Sequence, residues 1–248
     1  MEAVQFIFWE AIKALALAVL GLLAIKAASG LRLKTLARAG LYALVLALAA
    51  LGARGLGLDI AAEVAYWTSI RSLNRSDVPQ AYLSALRAVE RRPANLHYWQ
   101  ALARAKLSGR QFQSLVEDQP AFLQLARGPL DEDDLLRFAL CRYSLQQYGQ
   151  VIPMTQELIR ASPVYTEPYV LEGLTYTALK KYPQAEKDFL NALQLYPSQA
   201  DAVEGLAQVY FLTGETGKAR AVLEATAKYP FPPKARKRFA ALEDLYGQ

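Results

Sequence analysis

Eight residues at fixed offsets between Thr166 and Gln199 limit what this stretch can become: Tyr169, Gly173, Tyr176, Tyr182, Ala185, Phe189, Ala192 and Pro197. Intervals of four and three place Tyr169, Gly173 and Tyr176 along one face of a helix. The same intervals place Ala185, Phe189 and Ala192 along one face of a second helix. Gly173 and Ala185 are small where two helices must approach closely, and Pro197 ends the hairpin because it cannot continue a helix. Such a hairpin cannot bury its apolar face alone, so its neighbours in the chain must stack on it.

The flanking sequence supplies them. Pro163 to Pro197 is one period of 34 residues, and Pro93 to Pro163 is two periods plus two residues. Residues 200–233 repeat the pattern with Leu206, Tyr210, Gly214, Ala219 and Leu223. Residues 132–165 repeat it with Phe138, Ala139, Tyr148 and Pro163, behind an acidic start at Asp131–Asp134 that suits a helix N-terminus. Residues 59–131 carry it weakly. Asp59–Leu73 pairs with Asp77–Arg92, where Ala81 and Ala88 keep register with Pro93. Leu96–Leu107 carries Trp99, and Gly109 leads into a second helix broken by Pro120. A basic amphipathic helix, Lys234–Tyr246, would cover the last repeat.

From residue 62 onward the chain resembles the tetratricopeptide repeat family, most specifically over 166–199. The resemblance implies an all-α solenoid of about five helical hairpins with a C-terminal capping helix. In that family the first helices of successive hairpins line a groove that binds peptides or neighbouring subunits. Carried onto this sequence, the groove positions are Asp133, Leu136, Leu140 and Tyr143, then Glu167, Val170, Leu174, Thr177 and Ala178, then Asp201, Glu204, Gln208, Phe211 and Leu212. That surface is apolar with an acidic margin. It lacks the lysine and asparagine set with which chaperone-binding members clamp a C-terminal carboxylate. Packing is the alternative role for Phe211, Tyr143 and Leu140.

The front of the chain differs. Two apolar stretches, about 4–28 and 39–58, are each long enough to cross the ~30 Å hydrocarbon core of a bilayer, for which about 20 helical residues suffice. The connector, residues 29–38, is short, so the two read as an antiparallel transmembrane hairpin over residues 1–58; buried helices of a soluble protein are the alternative. Small residues line one face of each: Ala14, Ala18, Gly21, Ala24 and Ala28 on the first, Gly40, Ala43, Ala47 and Ala50 on the second. Such stripes let helices pack closely in lipid. Glu10, Lys13 and Arg54 fall together at one end of this seam, where charges must pair or reach water. They read as a clasp, or as a contact to a partner's membrane helix. Lys26, Arg32, Lys34 and Arg38 surround the loop with no acid among them, so the positive-inside rule puts the loop in the cytoplasm. The repeats would then be periplasmic, on a two-pass protein of the inner membrane.

The charge pattern argues against a nucleic-acid partner. Residues 1–75 hold eight Lys/Arg against four Asp/Glu, whereas the rest holds twenty against nineteen, so the net +5 belongs mostly to the apolar front and not to a basic face on the repeats. Cys141 is the only cysteine and His97 the only histidine. No catalytic motif, phosphate loop or metal-ligand spacing is present, so neither an enzyme nor a cofactor is expected. The sequence therefore reads as a membrane-anchored scaffold for protein subunits or peptides in an envelope assembly. Two alternatives stand beside it: a self-associating structural subunit, and an accessory of a polysaccharide synthase similar to the two-span repeat component of the Pel system, which would need the opposite topology.

Overall fold

The computed structural model describes residues 60–246, and every regular element in that span is helical. The predicted membrane hairpin, its loop and the Glu10, Lys13 and Arg54 cluster lie outside the described residues. Among the described residues no helix is long and apolar enough to cross a membrane. The helices are α1 (60–74), α2 (Val78–Arg91), α3 (Leu96–Ser108), α4 (Phe112–Glu117), α5 (Gln119–Ala126), α6 (Glu132–Ser144), α7 (Tyr148–Ala161), α8 (Thr166–Ala178), α9 (Tyr182–Leu195), α10 (Ala200–Leu212), α11 (Thr216–Glu224) and α12 (Pro233–Tyr246). A single 3₁₀ turn, Ala225–Lys228, follows α11.

The turns inside the hairpins carry the period more faithfully than the side chains do. Ser76, Arg110, Gln146, Lys180 and Gly214 adopt left-handed backbone, with φ between 57° and 81°. They recur every 34 residues, except for one interval of 36 between Arg110 and Gln146. Each sits in the same pair of hydrogen bonds. Lys181 N–H donates to Tyr176 C=O at 2.8 Å and Lys180 N–H to Thr177 C=O at 3.0 Å; Glu215 and Gly214 repeat the pair on Tyr210 and Phe211. This double closure satisfies the carbonyls a helix end would otherwise orphan, and it forces the left-handed residue between its two bonds. The two-residue excess in the proline spacing thus falls between the second and third hairpins, where the second helix is split into α4 and α5 ahead of Pro120.

The chain forms two compact units. One holds the described residues up to Gln111 together with Ala121–Arg127; the other holds Phe112–Pro120 and the residues from Gly128 onward. In the first, α2 packs on α3 around Ala62, Ala85, Ala88, Val89, Tyr98, Ala101 and Leu102. Asp77 caps α2 by accepting from Gln80 N–H at 3.2 Å, and Asn95 caps α3 by accepting from His97 N–H at 3.0 Å.

In the second unit, α6 pairs with α7, α8 with α9 and α10 with α11. The first helices also lie side by side, α6 on α8, α8 on α10 and α10 on α12. The hub is Phe189 of α9, wholly buried. A Cβ on Gly173 of α8 would stand 2.9 Å from its ring, and one on Gly205 of α10 only 2.3 Å. The ring is therefore held between two glycines, one in its own hairpin and one in the next. Burying a ring of this size contributes roughly 2–3 kcal/mol, and here the same side chain fixes the spacing between hairpins. Pro153 lies inside α7 at an exposed position, where it costs the helix one backbone hydrogen bond.

Candidate functional site

The groove positions expected from the sequence fall on α6, α8 and α10, the first helices of the second unit, and burial sorts them. Val170 is 7% exposed and belongs to the core around Phe189, with Leu174 half-buried against it. Leu136, Leu140 and Tyr143 are half-buried and pack over Ala139, Val151 and Leu171. Tyr143 also meets Tyr148 at 5.7 Å between ring centroids, and burial raises its hydroxyl above the ordinary tyrosine range. Thr177 is half-buried and turns its hydroxyl inward, donating to Gly173 C=O at 2.8 Å. The residues left open to solvent are Asp133, Glu167, Asp201, Gln208 and Phe211, with Ala178 and Leu212 at the helix ends. The helices of the row thus spend most of their apolar positions on their neighbours and offer solvent a sparse line in which Asp133, Glu167 and Asp201 stand beside Gln208, Phe211 and the helix ends.

At the last rung α12 alters that line. Arg238 of α12 reaches both acids of α10, its Nη2 lying 3.3 Å from Asp201 Oδ1 and its Nε 2.8 Å from Glu204 Oε1. Burial nevertheless raises the Glu204 carboxyl above the usual carboxylate range, Arg238 opposing and Asp201 reinforcing the shift. One turn of α10 from Gln208, Phe211 stacks on Tyr246 with centroids 4.3 Å apart and rings 19° from parallel. Phe211 remains 39% exposed, so its other face is open. The end of the row is therefore two acids sharing one arginine, beside an aromatic stack, in place of an uncompensated acidic margin.

A second polar cluster escaped the sequence reading, because its members lie on three helices and in no common motif. Glu172 of α8 is 4% exposed and accepts from Gln156 Nε2 of α7 at 3.2 Å. Burial raises its carboxyl, with the hydrogen bonds from Gln156, Thr155 and Tyr176 pulling the other way. Asp188 of α9 keeps a buried Oδ2 without a hydrogen-bond partner. Its carboxyl is pushed up to about 7 by burial and by the Glu172 charge, against the weaker pull of Lys187. Two acids that close cannot both ionise cheaply. In the first unit, Glu63 accepts from both Trp67 Nε1 and Tyr98 Oη at 2.8 Å. His97 faces Gln100 Oε1 at 3.2 Å. Cys141 is fully buried, and burial pushes its thiol up to about 11. Among the described residues no three His, Cys, Asp or Glu side chains gather as a metal site would require.

The all-helical fold of paired helices agrees with comparison to known proteins. Residues 176–238 match the tetratricopeptide repeat family. Solved structures that share the fold include MamA (residues 41 to the end) from Desulfovibrio magneticus RS-1, 17% identical, covering 68% of this chain and 94% of that one at a TM-score of 0.60. TTC0263, a thermophilic tetratricopeptide repeat protein from Thermus thermophilus, is 20% identical, covering 73% of this chain and 98% of that one at 0.60. YrrB, described as a tetratricopeptide repeat protein with an unusual peptide-binding site, is 15% identical, with 63% and 79% covered at 0.50. At these identities the likeness is one of fold. No curated protein sequence matches the chain.

Proposed function

We propose that this protein is a tetratricopeptide scaffold that collects protein subunits or peptides along the first helices of its repeats. Residues 1–58 would anchor it in an inner membrane, with the repeats on the periplasmic side. The observation that carries the scaffold reading is the side-by-side row of α6, α8 and α10, which leaves Asp133, Glu167, Asp201, Gln208 and Phe211 open beside half-buried Leu140, Tyr143 and Leu174. Apolar contact set beside selective charge is what a peptide or subunit surface uses. The peptide-binding site named for YrrB supports the same use of the fold. The anchor and its orientation are supported by the two apolar stretches and the basic loop between them.

Site-specific photo-crosslinking in cells tests the surface. A photoreactive residue in place of Gln208 should capture a discrete protein, whereas one in place of Lys187, exposed on the second helix α9, should not. Equal capture at both positions, or at neither, would remove the row from consideration. Capture of a second copy of this chain at Gln208 would favour the self-associating subunit. A reporter fused after Gln248 tests orientation: it should be active only in its extracytoplasmic form, and cytoplasmic activity would favour the synthase accessory.

A further inference from the structure

The outer side of the first hairpin carries a groove of about 450 Å³ between α1 and α2. Ile60, Ala61, Val64 and Ala65 of α1 form its apolar wall, and Arg87 and Arg91 of α2 form its rim. Val64 is 52% exposed, and both arginines are exposed. Arg91 Nη1 donates to Arg87 C=O at 3.3 Å, and among the described residues neither guanidinium is paired with a carboxylate. No acid lines the groove. Arginines at i and i+4 stand on one helix face, a geometry suited to a phosphate diester between them. The sequence also places this groove. Ile60 follows by two residues the apolar stretch 39–58, which is long enough to cross a bilayer. A groove with an apolar wall and a cationic rim next to a membrane exit matches a lipid, with acyl chain against α1 and headgroup against α2.

We infer that the groove between α1 and α2 binds the headgroup of an anionic phospholipid at the membrane surface, held by Arg87 and Arg91. The inference rests on the anchoring reading above, and its test separates the two. Full-length protein is reconstituted in nanodiscs of equimolar phosphatidylcholine and phosphatidylglycerol, with p-benzoylphenylalanine in place of Val64 or, separately, of Leu46 in the apolar stretch. Adducts are identified by mass spectrometry. Each surface cation favours an anionic leaflet by about fivefold, so the Val64 probe should label phosphatidylglycerol at least about fivefold over phosphatidylcholine. Arg87→Ala with Arg91→Ala should return the ratio to one, and Arg87→Lys with Arg91→Lys should keep most of it. Unchanged helicity by circular dichroism guards against loss of fold. Equal labelling of both lipids in the unmodified background would overturn the inference. So would lipid adducts from Leu46 alone, or Val64 adducts to the chain's own first 59 residues, although either result leaves the anchor standing. Absence of lipid adducts from both probes would overturn the anchor and the inference with it.

Discussion

Gly205→Ala opposes two effects whose sizes can be worked out. Within a helix, replacing glycine by alanine normally stabilises by about 1 kcal/mol. At Gly205 the new Cβ would lie 2.3, 2.4 and 2.8 Å from Phe189 Cζ, Cε1 and Cε2, against about 3.5–4.0 Å for carbons in contact. The ring must retreat by more than an ångström. It cannot do so easily, because it is wholly buried and α8 stands close enough on another side that even a Cβ at Gly173 would come within 2.9 Å of it. Overpacking of this kind costs about 3 kcal/mol at the upper end of its usual range. The net loss is then about 2 kcal/mol, which in a chain of this size lowers the melting midpoint by about 4–8 °C. Urea unfolding followed by helix ellipticity gives the free energy, provided the slope with denaturant is unchanged. The cause is isolated by Phe189→Leu: in that background Gly205→Ala should lose most of its penalty. A Gly205→Ala protein more stable than its parent would refute the close approach, and an undiminished penalty beside Leu would show that the clash lies elsewhere.

Four further outcomes test other parts of the structure. Because Glu172 and Asp188 hold protons longer in the folded chain than in the unfolded one, their contribution is complete only below the ordinary aspartate value of 3.8 and is lost progressively as pH rises from there through about 7. Asp188→Asn should flatten that slope in denaturant titrations at a series of pH values. Gly214→Ala meets no neighbour within 4 Å, so its cost is the left-handed backbone alone, about 1 kcal/mol by thermal unfolding. Asp131→Ala removes the cap that accepts from Asp134 N–H at 2.7 Å and should cost about 1 kcal/mol. Cys141, buried and with its thiol raised to about 11, should resist alkylation at pH 8 until the chain unfolds.

Local pattern was enough to place most elements. The stripes around Tyr169, Gly173, Ala185 and Phe189 predict α8 and α9 because helix periodicity is a property of neighbours in sequence, and the proline spacing shows two extra residues somewhere between Pro93 and Pro163. Only the turns show where they go, because Arg110 and Gln146 look unremarkable as residue types and take left-handed backbone from the closure around them. Asp133, Leu136, Leu140 and Tyr143 share a helix face by arithmetic, but which of them stays open depends on how deeply the adjacent first helix covers it. Phe211 is legible as an aromatic on that face; its stack on Tyr246, and Arg238 between Asp201 and Glu204, exist because α12 folds back onto α10 across more than thirty residues of sequence. Gly205 and the Glu172–Asp188 pair lie furthest from anything the sequence states. Their importance comes from atoms on helices brought together by stacking, and periodicity along one helix carries no record of what stands opposite it.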